Sequence, residues 1–282
     1  MLVTPEADGA TGPDPRPSGE PPRRSPTARL LWRVGGGLLV AVILVFGVGQ
    51  VIVALAHEQR THHSSFPAAG IGTIEVHNSA DGSVEVIGTA TETIRVRAHI
   101  HDGLRKTNHS QRVEGDRLVL ESSCPVLLSQ HCSLSYEIEA PAGVSVEVHT
   151  DGGHLSVSDI DGNVDVSNDA GGIELARIGG WVQAHSDAGG IDGVGLTSDV
   201  FTATSDAGSV RVDFDEPPQA VEARSDAGSV EVVVPRGDAY NVTADSDAGS
   251  TTVDVDTSAA AERTVIATAD AGSVVVRYRT SG

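Results

Sequence analysis

Ser205-Asp206-Ala207-Gly208-Ser209-Val210-Arg211-Val212 and Ser225-Asp226-Ala227-Gly228-Ser229-Val230-Glu231-Val232 are one unit written twice. The Asp-Ala-Gly centre of this unit recurs at Asp169, Asp187, Asp206, Asp226, Asp247 and Asp270, at intervals of 18, 19, 20, 21 and 23 residues. Weaker copies start at Asp81, Asp151 and Asp161. Self-similarity at such a period marks a repeat architecture, so the repeat is read before any catalytic motif.

The flanks of the centre also repeat. Val182-x-Ala184-x-Ser186, Phe201-x-Ala203-x-Ser205, Val221-x-Ala223-x-Ser225 and Val242-x-Ala244-x-Ser246 precede it, while Ile173-x-Leu175, Val210-x-Val212 and Val230-x-Val232 follow. Apolar residues at every second position place one face inward and one outward, the period of a half-buried strand. Each unit therefore reads as strand, tight turn, strand and a spacer of variable length. Asp suits the turn because its carboxylate accepts from amides two residues on, and Gly because it adopts positive φ. Stacking such units buries the Val and Ala stripes against the next copy. A coil of this length has a perimeter of about 65 Å at ~3.3 Å per residue, which suits a slim, right-handed β-helix or solenoid. A β-sandwich of hairpins is the alternative. Ile74-x-Val76, Val84-x-Val86, Ile94-x-Val96 and Leu118-x-Leu120 continue the alternation less regularly. Residues 71–140 thus form an irregular opening part, and 141–280 the regular repeats, of one β-domain over 71–282.

Upstream, Val34 to Ala56 carry no charge and only Gln50 as a polar interruption. As a helix, this segment is about 35 Å long, enough for a bilayer core. Arg23, Arg24, Arg29 and Arg33 precede it and Arg60 follows. By the positive-inside tendency residues 1–33 are cytoplasmic and the chain after a linker at 57–70 lies outside the membrane, single-pass. A cleaved secretory signal ending at Ala54-Leu55-Ala56 is the alternative. The leader 1–33 is rich in Pro, Gly and Ser, a composition expected to stay disordered.

Composition excludes one class of partner. Residues 61–282 carry 34 Asp and Glu against 13 Lys and Arg, a balance of −21. Such a surface repels nucleic-acid phosphates, so no nucleic-acid partner is expected. Cys124 and Cys132 are the two cysteines and fall in the exported portion, where a structural disulfide is expected. Closing so short a loop contributes about 2–3 kcal/mol.

The search for chemistry yields one serious candidate. In a coil, Asp187, Asp206, Asp226 and Asp247 stand about 4.8 Å apart, close enough to repel and to attract a cation such as calcium. The competing reading is that each Asp caps its own turn. His57 to His62 differs from a zinc-protease helix by one residue in the spacing of its histidines, and His99 with His101 offers only two ligands. No catalytic residue and no cofactor is read from the sequence.

An Arg-flanked apolar segment followed by Ser-Asp-Ala-Gly-Ser-Val-x-Val strands resembles a bacterial family of β-strand-repeat proteins. That family carries a "putative adhesin" label and is described as a "toast-rack" domain of unknown function. The resemblance covers roughly residues 70–279. It implies a non-enzymatic, β-helix-like domain in the cell envelope, serving as scaffold or binding module toward an envelope component or membrane protein. An envelope-stress signalling partner and a polysaccharide-acting enzyme are the other classes weighed.

Overall fold

A computed structural model describes residues 35–47, 58–102, 106–125 and 132–280. The chain divides into two units, Met1–Ile52 and Val53–Gly282. In the first, residues 35–47 form one α-helix with Leu38, Leu44 and Phe46 exposed. Among the described residues no helix is long and apolar enough to cross a membrane. The leader 1–33 and the remainder of the 34–56 segment lie outside the described residues.

The second unit is all β. Its opening part supplies β1 (Glu58–Pro67), β2 (Thr73–Ser79), β3 (Val84–Thr89), β4 (Thr93–Asp102), β5 (Asn108–Glu114), β6 (Arg117–Ser123) and β7 (Ser133–Pro141). The repeats supply β8 (Ser145–Thr150), β9 (Leu155–Ile160), β10 (Val164–Ala170), β11 (Ile173–Ile178), β12 (Val182–Ala188), β13 (Ile191–Leu196) and β14 (Val200–Ser205). They continue with β15 (Val210–Phe214), β16 (Ala220–Ala227), β17 (Val230–Val234), β18 (Asn241–Ala248), β19 (Thr251–Asp254), β20 (Thr264–Ala271) and β21 (Val274–Tyr278).

Successive repeat strands alternate between two sheets. The first sheet runs β1-β4-β7-β3-β9-β11-β13-β15-β17-β21-β19, and the second β18-β20-β16-β14-β12-β10-β8-β2-β6-β5. Asp-Ala-Gly therefore carries the chain from one sheet to the other and does not fold it into a hairpin. Within the repeats each strand pairs parallel with the equivalent strand of the adjacent coil, as Val182 with Phe201 and Ala184 with Ala203. Antiparallel pairs among the described residues are β1 with β4, β4 with β7 and β5 with β6, all in the opening part.

Between the sheets lies the thin aliphatic core that the alternation implies. In β12 the residues Val182, Ala184 and Ser186 are buried while Gln183, His185 and Asp187 are exposed. Phe201 and Phe214 meet edge to face, with ring centroids 5.7 Å apart, a favoured aromatic geometry.

Three features depart from the sequence reading. Residues 58–67, expected within a linker, are strand β1 and pair with β4 from Glu58↔Asp102 to Pro67↔Thr93. The segment is polar, but its backbone satisfies the open edge of β4 and Phe66 packs against the core. Second, the coils do not stack in chain order at the C-terminal end. β20 sits between β16 and β18, and β21 between β17 and β19. The reason lies in the side chains: Val265, Ala267, Ala269, Val274 and Val276 are all buried, whereas β19 presents Thr251 and Thr252 to solvent. An aliphatic coil gains from neighbours on both sides, and a polar one does better at the end, covered on one side. Third, most turn glycines are selected by close approach and not by φ. A Cβ on Gly208 would lie 2.1 Å from the carbonyl oxygen of Gly189, and one on Gly228 2.2 Å from that of Gly208.

Candidate functional site

The outward face of the second sheet, beside the Asp-Ala-Gly corners, gathers the chemistry-bearing side chains. Alternation decides which side chains reach it. In each Ser-Asp-Ala-Gly the Ser points inward and the Asp outward. Ser186, Ser205 and Ser225 are fully buried. Their hydroxyls donate to the adjacent coil's glycine carbonyl: Ser186 to Gly171 at 3.3 Å, Ser205 to Gly189 at 2.9 Å and Ser225 to Gly208 at 2.7 Å. Asn168 fills the same inward place in β10, its amide donating to the Gly153 carbonyl at 2.9 Å. These bonds satisfy the polar group buried beneath each turn.

The Asp carboxylates, free of that task, line the surface. Asp187, Asp206 and Asp226 stand on consecutive coils, about 4.8 Å apart by strand spacing. Asp247 does not follow Asp226, because Ala227 pairs with Ala271 and Ala271 with Ala248, so Asp270 is interposed. Nor do these carboxylates cap their turns: among the described residues no backbone amide donates to them. The amide-capping role falls to Asn78 and Asn168, whose Oδ1 atoms accept from Ala80 and Ala170 N–H at 3.2 Å each. The Asp residues face cationic or ionisable side chains. His185 Nε2 is 2.9 Å from Asp187 Oδ1. Arg224 donates from Nε to Asp226 at 3.2 Å and from its terminal nitrogen to Asp270 at 3.3 Å.

One register row behind the Asp residues, the paired positions read His77, His149, Ser167, His185, Thr204 and Arg224 along the sheet. His149 Nδ1 is 2.8 Å from Ser167 Oγ, and its Nε2 is 3.7 Å from Asp151. Two clusters result, His149–Asp151–Asp169 and His185–Asp187–Asp206, each with one ligand-type atom per residue and all within 4.8 Å of one another. Sequence reasoning had singled out the aspartates but not these histidines. The legible signal was His two residues before Asp, in His149-Thr150-Asp151 and His185-Ser186-Asp187.

A further row holds Glu75, Glu147 and Asp165 side by side. Arg117 bridges the two glutamates at 2.9 and 2.7 Å. Bonds from His77 and Arg117 hold the Glu75 carboxyl below its usual range. Asp165 lies beyond that reach, and burial, with Glu147 beside it, pushes its carboxyl up.

The other candidates lie apart. His99 contacts Glu137 at 3.2 Å and Thr61 at 3.4 Å, on the other sheet. His57 lies outside the described residues. Cys124 and Cys132 are joined as a disulfide with Cα atoms 6.0 Å apart. An open cleft at the far corners of the coils is lined by Asp159, Asp161, Arg177, Thr197 and Asp215. There Asp159 (φ 59°) and Arg177 (φ 53°) adopt the left-handed conformation and pair through two bonds of 2.6 and 2.7 Å.

No family model matches the chain, and no curated protein does. Solved structures do. A "putative adhesin" from Bacteroides fragilis is 13% identical, with a TM-score of 0.49, over 78% of this chain and 97% of its own. A "putative cell adhesion protein" from Clostridium sporogenes is 12% identical, with a TM-score of 0.40, over 79% of this chain and 100% of its own. The neighbours carry adhesin names, as the resemblance read from the repeat implies.

Proposed function

We propose that this chain is a membrane-anchored, non-enzymatic binding or scaffold module of the bacterial cell envelope. In this reading the 34–56 segment is a single-pass anchor, residues 1–33 are cytoplasmic, and the β-domain over 71–282, with β1 added, is displayed outside. The domain itself is read as a right-handed, two-faced β-solenoid. Its partner is an envelope component or another membrane protein.

One observation carries the proposal: the inward row stays apolar and closes on a small buried residue (Ser, Asn, Thr or Ala), while the outward row changes from coil to coil between β10 and β20. Gln183, Thr202, Glu222 and Ile266 occupy equivalent outward positions on four successive coils. A constant core beneath a varied, flat row is what a recognition surface requires, because specificity comes from exposed side chains on a rigid support. The acidic balance of −21 over 61–282 directs that surface toward neutral or cationic partners.

The test is photo-crosslinking on intact cells that carry the full chain, with the reactive residue placed at Thr204 on one sheet or at Arg211 on the other. A discrete envelope partner captured from one face and not its opposite is the expected result. Reaction only after cell lysis would overturn the display outside the membrane. Turnover of a glycan by the purified full chain, lost on one carboxylate substitution, would overturn the non-enzymatic reading.

A further inference from the structure

Along the second sheet a single geometric rule is used three times. It takes a nitrogen-bearing side chain two residues before an Asp, that Asp, and the Asp of the adjacent coil. At β16 the three are Arg224, Asp226 and Asp270, and the guanidinium reaches both carboxylates at 3.2 and 3.3 Å. At β8 they are His149, Asp151 and Asp169, and at β12 they are His185, Asp187 and Asp206. The Arg coil shows what the place between two stacked carboxylates takes: a cation bonded to both. An imidazole offers a proton or a lone pair there, but no permanent charge.

We propose that His149–Asp151–Asp169 and His185–Asp187–Asp206 are two equivalent binding sites for a divalent transition-metal ion of the zinc type, each filling the position that the Arg224 guanidinium fills at β16. The donor set decides the class of ion. One imidazole nitrogen with two carboxylate oxygens suits zinc and its neighbours, whereas calcium takes an all-oxygen shell. The donor atoms already lie within 4.8 Å of one another in each cluster. An ion at ~2.0–2.2 Å from each therefore needs only side-chain rotation. The His149 ring is also set for ligation. His149 Nδ1 lies 2.8 Å from Ser167 Oγ; in the tautomer that donates from Nδ1, this contact turns the Nε2 lone pair toward Asp151, the way an outer hydrogen bond orients a ligating histidine. Water completes the coordination, since the residues concerned are about half exposed.

The two sites are separated by one Ser coil. Ser167 of β10 lies between His149 and His185 in register, so the ions would sit about 9.6 Å apart, two strand spacings. On the far side Thr204 ends the row of imidazoles before Arg224 takes over. The face thus carries a line of three cationic positions, two of them dependent on metal supply.

The experiment titrates zinc alone into the full chain in competition with a chromophoric chelator. The comparison is with His149→Arg, His185→Arg and the double variant, which copy the arrangement native at β16. A second pair, His149→Ser and His185→Thr, copies the residues that the repeat places at β10 and β14 and guards against a folding artefact of the charge. The wild type is expected to bind two equivalents more than either double variant, and each single variant one fewer than wild type. Zinc bound elsewhere on the chain cancels in these differences. Equal uptake by wild type and both double variants overturns the proposal. So does loss confined to one of the two positions, or displacement of the zinc by calcium at equal concentration.

Discussion

Coil β16–β17 and coil β18–β19 carry the same Ser-Asp-Ala-Gly-Ser turn, and their surroundings differ. Ser225, Val230 and Val232 are fully buried, while β19 is exposed along its length and Ser246 is half-buried. Both turns close in the same way: Ser225 donates to the Gly208 carbonyl and Ser246 to that of Gly272, each at 2.7 Å. The turn motif therefore specifies how a coil is built, and the aliphatic residues after it specify where the coil is placed. Thr251 stands where the other coils carry Val230 and Val274. That one change of type fits the coil to an edge with a single neighbour.

Three interior–edge pairs of substitutions and one single substitution sharpen or break this contrast, each read as a shift in the midpoint of reversible unfolding. The largest effect is expected for Gly228→Ala, whose Cβ would meet the Gly208 carbonyl at 2.2 Å inside a stack fixed on both sides. A destabilisation of about 3 kcal/mol or more is expected. Gly249→Ala meets the Gly272 carbonyl at 1.9 Å, but its coil is free to move outward, so the loss should be less than half as large. Equal losses would show that the edge coil is held as firmly as the interior. Next is Val274→Thr, which buries a hydroxyl among Val side chains at a fully enclosed site and should cost about 1–3 kcal/mol. The reverse change, Thr251→Val, should stay within ~0.5 kcal/mol. Ser225→Ala removes a buried hydrogen bond of 2.7 Å and leaves the Gly208 carbonyl short of a donor, a loss of about 1 kcal/mol. Ser246→Ala, with water at hand, should lose less. The smallest effect is expected for Arg224→Ala, since its partners Asp226 and Asp270 are about half exposed. Less than ~0.5 kcal/mol, fading with salt, is the expected outcome.

Much of this was legible in the sequence. The period, the alternation and the inward Val-x-Ala-x-Ser stripe were all visible, because strand alternation is a local property that every copy repeats. The order of coils was not. The stripe before the turn does not distinguish the two coils, since β20 matches β18 at Val265↔Val242 and Ala267↔Ala244, and the one local mark of an edge is Thr251 after the turn, where Val274 stands in the other coil. The role of the turn residues was also misassigned. Gly171 and Gly272 do adopt the positive φ expected of a turn glycine, but the other Asp-Ala-Gly glycines answer only to a neighbouring carbonyl, and the Asp residues answer to the surface. The His positions escaped notice for a related reason. The stacked carboxylates were foreseen, but a His two residues before an Asp joins them only because alternation puts both on the same outward face.

The interposed coil has a consequence for how the domain is completed. A ribosome delivers 241–254 before 264–278, yet the earlier stretch borders β16 and β17 only through the later one. Until the later stretch emerges, 241–254 has two options: to dock provisionally on β16 and β17, or to wait unpaired. Docking first makes the later stretch insert beneath it, and waiting lets the later stretch add to β16 and β17 before 241–254 closes over it; neither route follows chain order. Assembly of this end of the domain is therefore not vectorial, and release of residues 264–278 is the event that closes it.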